Sequence, residues 1–135
     1  MAVQLSTSVR NARLDAIEST AGTSAILTIR TGAQPADCAT ANSGTVLATL
    51  ALPSDWLAAA SSGSKAKSGT WQDTNADATG TAAHFRIHDS GGTTCHMQGS
   101  VTITGGGGDL TLDSVSITSG QSVTITSFSL TDGNA

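Results

Sequence analysis

Between Gly80 and Ile103 the side chains alternate strictly enough to dictate a local structure. In GTAAHFRIHD, Ala83, Phe85 and Ile87 fall on one side, and His84, Arg86 and His88 on the other. Successive side chains of a strand face opposite ways, so this reads as a strand with one buried and one wet face. Ser90-Gly91-Gly92 is a turn signal. Cys95, Met97, Val101 and Ile103 then resume an apolar pattern, with Gly99 marking a bulge or a close approach. The expectation is a β-hairpin onto which the other elements pack. Phe85, Ile87, Leu27, Ile29, Leu50 and Ile125 are its expected core.

The flanking segments supply the partners. Leu5, Val9, Ala12 and Ala16 lie at helical spacing with Ile17 beside them, and Gly22 ends the pattern. This predicts an amphipathic helix from about Thr7 to Thr20 with a narrow stripe of small apolar residues. Such a helix either caps the domain or serves as an attachment or oligomerisation arm. TSAILTIRTG reads as a strand with Leu27 and Ile29 facing one way and Ile26, Thr28 and Arg30 the other. Residues 33–44 form a long loop of a kind that is often functional. TVLATLALP is the next strand, closed by Pro53. Ser54 is placed to cap a short helix through Trp56 and Leu57. SSGSK reads as a loop, AKSGTWQD as a short strand, and TNADATG as a polar turn. In the last third, SVTIT occurs at Ser100–Thr104 and Ser122–Thr126, with SVSIT at Ser114–Thr118 between them. With DLTLD at Asp109–Asp113 they predict a meander of short antiparallel strands. Phe128 and Leu130 change parity relative to Val123 and Ile125, which places a bulge near Ser127.

These patterns give a mainly β fold, an antiparallel β-sandwich or jelly-roll-like barrel with a short N-terminal helix. The expected organisation is an N-terminal helical segment over 1–22 and a single β domain over 23–135.

Composition narrows the function classes. Only 12% of residues are charged and 3% aromatic, with no Tyr and a net charge of −4. There is no basic stripe for phosphate neutralisation, so no nucleic-acid partner is expected. No apolar run is long enough to span a bilayer, which argues against a membrane partner. The first residues lack the basic start and apolar block of a secretory signal, so synthesis in the cytoplasm is expected. A Ser- and Thr-rich surface with few charges suits a β protein covered by other chains.

No constellation of reactive residues emerges. His84 and His88 are four residues apart on one strand face, roughly 13 Å, too far for one metal. His96 on the partner strand adds an imidazole but no carboxylate ligand, so no metal is expected. Asp73, Asn75 and Asp77 have a faint calcium-loop look, but the bidentate Glu is missing and a polar turn fits better. Cys95 and His96 point to opposite faces and cannot pair as nucleophile and base. The glycine run before Asp109 lacks the Lys-Ser/Thr of a phosphate loop. No catalytic residue and no cofactor is expected. Cys38 and Cys95 are read as free thiols, because the chain folds in a cytosol; the alternative is one disulfide tying the long loop to the hairpin.

The segments STSVRNARLDAIESTAGTSAILTIRTG, LALPSDWLAAASSGSKAKSGTWQD, FRIHDSGGTTCHMQGSV and VTITSFSLTDGNA resemble a family of small proteins encoded by tailed phages and prophages of proteobacteria. The resemblance covers nearly the whole chain and carries no functional residues. It implies a virion structural component, such as a capsid decoration protein or a small head or tail fibre component, located in the virion. Implied partners are copies of the chain itself, as a trimer by analogy, and other virion proteins of the capsid, connector or tail. The competing class is a receptor- or glycan-binding module of the tail. Such modules present exposed aromatics, and only Trp56 and Trp71 are available here.

Overall fold

The computed structural model describes residues 3–134; Met1 and Ala2 of the expected helical segment, and Ala135 of the expected β domain, lie outside them. One helix, α1 (Thr7–Ala21), precedes eleven strands among the described residues. They are β1 (Ile26–Arg30), β2 (Val46–Ala51), β3 (Ser64–Ala66), β4 (Trp71–Asp73), β5 (Gly80–Thr81), β6 (His84–His88), β7 (Cys95–Ile103), β8 (Leu110–Leu112), β9 (Ser116–Ile117), β10 (Val123–Ile125) and β11 (Ser129–Thr131). The fold is mainly β and sandwich-like, with one short N-terminal helix.

The hairpin at the centre forms as its alternation predicts. Phe85 pairs with Gly99 and Ile87 with Met97 across antiparallel β6 and β7. β1 lies on the other side of β6, pairing Ile29 with Phe85 and Leu27 with Ile87. The five-stranded sheet has the order β2-β1-β6-β7-β8. Leu27, Ile29, Leu50, Phe85, Ile87 and Ile125 are all buried, as the pattern requires. Gly99 is a close approach: a Cβ there would lie 2.7 Å from Phe85 Cε1 and 2.9 Å from Asp109 Cβ. The register shift falls elsewhere, between Ile87 and His88.

Three two-stranded pairs complete the β structure: β10-β4, β11-β3 and β5-β9. They bring aromatic residues to the core. Trp71 lies 6.0 Å from Trp56 and 5.4 Å from Phe128, and Phe128 meets the edge of Phe85 at 5.8 Å. Such tilted and edge-on pairs are the favoured aromatic geometries.

Four local expectations are corrected. The C-terminal strands are not a meander. β8 adds to β7 in parallel, while β9, β10 and β11 pair with β5, β4 and β3. One antiparallel edge of β7 is already taken by β6, so the chain doubles back through residues 104–109 onto the other edge. Parallel neighbours usually need about a dozen linking residues; here the glycine run folds over Thr102, whose Oγ1 accepts from Gly108 N at 2.9 Å. Second, the segment after Ser54 is not helical. Trp56 is drawn into the core with Nε1 donating to Gly22 O at 2.9 Å, and Leu57 bridges to Lys67. Third, SSGSK is not all loop, because Ser64 and Lys65 open β3. Fourth, the parity change near Ser127 is a break between β10 and β11, not a bulge, and it lets Phe128 turn inward.

Candidate docking surface

Helix α1 begins where expected. Ser6 caps it, its Oγ accepting from Val9 N at 3.2 Å, and Gly22 ends it with φ 88°. Gly suits that left-handed position because it has no Cβ to clash. The docked face is not the one the apolar spacing indicates. Leu14 and Ala21 are buried, and polar side chains supply the other contacts. Asn11 Oδ1 accepts from Gly63 N at 2.9 Å, Asp15 Oδ1 from Ala60 N at 3.0 Å, and Glu18 Oε1 from Leu57 N at 3.3 Å. The Lys65 ammonium reaches Asp15 at 2.7 Å and Glu18 at 3.0 Å. Arg13 pairs with Asp132 at 3.1 Å, tying the helix to the C-terminal segment.

The reason lies in the segment leading into β3. Its Leu57, Ala60 and Gly63 N–H groups point at the helix, and buried donors demand acceptors. The carboxylates and amide of one helix face provide them. Consequently Val9, Ala12 and Ala16 project to solvent, and Val9 is 46% exposed. At 100° per residue these three lie nearly opposite Asn11, Leu14 and Glu18. The small-residue stripe is therefore an outward, unpartnered surface.

The polar face of the central hairpin is also corrected. His84, Arg86 and His88 are buried, not wet. The long loop over residues 33–44 folds across them as a strap. Arg86 donates to Thr40 O at 2.9 Å, Cys38 O at 2.9 Å, Asp37 O at 3.3 Å and Asn42 Oδ1 at 2.8 Å. His84 Nδ1 meets Gly32 O at 2.9 Å and His88 Nε2 meets Asn42 Oδ1 at 3.2 Å. Burial lowers the pKa of both imidazoles, and the Arg30 and Arg86 guanidiniums lower it further. Burial, and then Arg86, also lowers that of Arg30. Alternation reveals which residues share this face, but nothing in it announces the covering strap.

No group of three His, Cys, Asp or Glu among the described residues is placed to hold a metal ion. Asp73 and Asp77 instead fix β2: Asp73 accepts from Thr49 N at 2.9 Å and Asp77 from Thr49 Oγ1 at 2.7 Å. Cys38 and Cys95 are free thiols with their sulfurs 3.1 Å apart. Trp56 and Trp71 are fully buried and present no aromatic platform. An open groove of about 860 Å³ runs between β7, β8 and β11 beside Asp109 and Lys67. Asp109 is already engaged there by Ser100 N and Oγ at 2.9 and 3.0 Å. Among the described residues no helix is long and apolar enough to cross a membrane. No protein-family model matches this chain, and neither a curated protein nor a solved structure is detectably similar to it.

Proposed function

We propose that this chain is a non-enzymatic structural protein of a tailed-phage virion, present in many copies, as a capsid decoration protein or a small head or tail fibre component. The carrying observation is the orientation of α1, which spends its polar face on the β domain and turns Val9, Ala12 and Ala16 outward. An outward row of small residues lets a second helix approach closely, and the occupant we assign to it is another copy of the chain. The sparse charge supports the same reading, since few charged groups would be desolvated on association. The number of copies, three, rests on the resemblance to phage proteins. In this reading synthesis occurs in the host cytoplasm, the partners are further copies and other virion proteins, and the assembled location is the virion. The burial of both tryptophans favours this over the receptor- or glycan-binding module, which would need an exposed stacking surface.

The test is quantitative mass spectrometry of purified particles from a host carrying the gene. The expected result is this chain in many copies per particle, in fixed ratio to the major capsid protein. Its absence from particles that are otherwise complete would refute the assignment.

A further inference from the structure

The strap over the central hairpin carries a feature of its own. Cys38 lies within it and Cys95 opens β7, so the two residues belong to segments far apart in sequence. Their sulfurs nevertheless stand 3.1 Å apart. A disulfide requires about 2.05 Å, so an approach of roughly 1 Å separates the free thiols from a bond. Both residues are only half-buried, and the adjoining turn, 89–94, is largely exposed. A small reagent can therefore reach them. Arg86 Nε donates to the Cys95 sulfur at 3.2 Å, while the same guanidinium holds the carbonyls of Asp37, Cys38 and Thr40. One buried cation thus aligns both the strap and the cysteine it lies against.

We propose that Cys38 and Cys95 are a reversible disulfide site that fastens the strap, residues 33–44, to the start of β7. The oxidant is a small-molecule disulfide. The Cys95 sulfur attacks it and releases one thiol, leaving a mixed disulfide on Cys95. The Cys38 sulfur then attacks Cys95 Sγ and expels the second thiol. In total the protein loses two protons and two electrons, one S–S bond forms, and the oxidant is reduced to two thiols. Burial, and then the neighbouring Cys95 sulfur, pushes the Cys38 thiol up to about 11. Because the thiolate is the attacking species, the second step accelerates as pH rises. The bond closes a long loop, which restricts the unfolded chain and favours the folded one.

The experiment uses the full folded chain and oxidised glutathione, followed by alkylation in denaturant and intact mass measurement. The expected product is a monomer two hydrogens lighter than the reduced chain, with no alkyl group attached. Treatment with a dithiol reductant should restore two alkylation sites. Cys38→Ser should stop at one glutathione adduct on Cys95. Amide hydrogen exchange over residues 35–42 should slow several-fold in the oxidised chain. Two alkyl groups, two stable glutathione adducts or a disulfide-linked dimer after oxidation would overturn the site. Unchanged exchange in the strap of the oxidised chain would overturn its fastening role.

Discussion

The Lys65 ammonium is buried under α1 and held 2.7 Å from Asp15 Oδ1. The side chain of Lys65 is 3% exposed, that of Asp15 47%. The pair is therefore asymmetric. Lys65 depends on the helix for its counter-charge, while Asp15 retains access to water. Burial alone would pull the Lys65 pKa down, but the hydrogen bonds it donates to Asp15 and Glu18 more than offset it and hold the ammonium above its usual range. Asp15 is held below its usual range, first by Lys65 and then by the Ala60 N–H.

Removing the carboxylate charges should therefore cost more than removing the cation. Asp15→Asn with Glu18→Gln leaves a buried ammonium without counter-charge, the strongly destabilising way to break such a pair. Lys65→Met leaves two carboxylates that can hydrate. Denaturation midpoints should fall further for the double variant than for Lys65→Met, and adding Lys65→Met to the double variant should recover part of the loss. Strict additivity of the three substitutions would contradict the coupling. The pH dependence follows from the directions of shift. The Asp15 contribution is present above pH 3.8 and lost as pH falls through its lowered folded value. The Lys65 contribution is present below pH 10.5 and lost as pH rises through its raised folded value.

The buried imidazoles set a second pH window. His84 and His88 have folded pKa values below 6.5, so on acidification the unfolded chain takes up protons first. Their effect is absent above pH 6.5, grows as pH falls below it, and levels off at its full destabilising size once the lowered folded values are passed. Urea midpoints should be lower at pH 5 than at pH 7.5, and His88→Gln should reduce that difference. Equal midpoints at the two pH values in the unaltered chain would mean that the strap does not exclude water from this face.

The core should respond sharply at the hairpin. Phe85→Ala removes a buried ring that touches Phe128 and should cost about 3–5 kcal/mol. Gly99→Ala introduces a Cβ against that same ring and against Asp109, and should cost about 1–3 kcal/mol by overpacking. Equilibrium unfolding in urea measures both. A Gly99→Ala chain as stable as its parent would place β7 further from Phe85 than 2.7 Å allows.

Period-two alternation made β1, β2 and β6 legible, because their apolar residues share one sheet face. It also identified the buried set from Leu27 to Ile125. What it did not carry was long-range pairing. Strands built on SVTIT and SVSIT are chemically interchangeable, so nothing local distinguishes a hairpin partner from β3, β4 or β5. His84, Arg86 and His88 misled for a related reason. Polar residues on a strand face normally meet water, and only the carbonyls of a distant loop make their burial affordable. The helix misled in the opposite sense. Its apolar stripe suggests the docked face, but β3 presents Lys65 and the segment before it presents the N–H groups of Leu57, Ala60 and Gly63, which select Asn11, Asp15 and Glu18 instead. The outward orientation of Val9, Ala12 and Ala16 becomes readable only once that polar docking is known.

Because Asp15 and Glu18 support Lys65, deleting the helix would damage the β domain as well as any assembly surface. Charge substitutions on the outward stripe separate the two. The decisive measurement is sedimentation equilibrium of the full chain beside a Val9→Glu, Ala12→Glu, Ala16→Glu variant, with thermal unfolding as the check on folding. The account predicts a trimer for the unaltered chain and a monomer of near-unchanged stability for the variant. A monomeric unaltered chain, or a variant that remains a trimer, would contradict assembly through the outward face of α1.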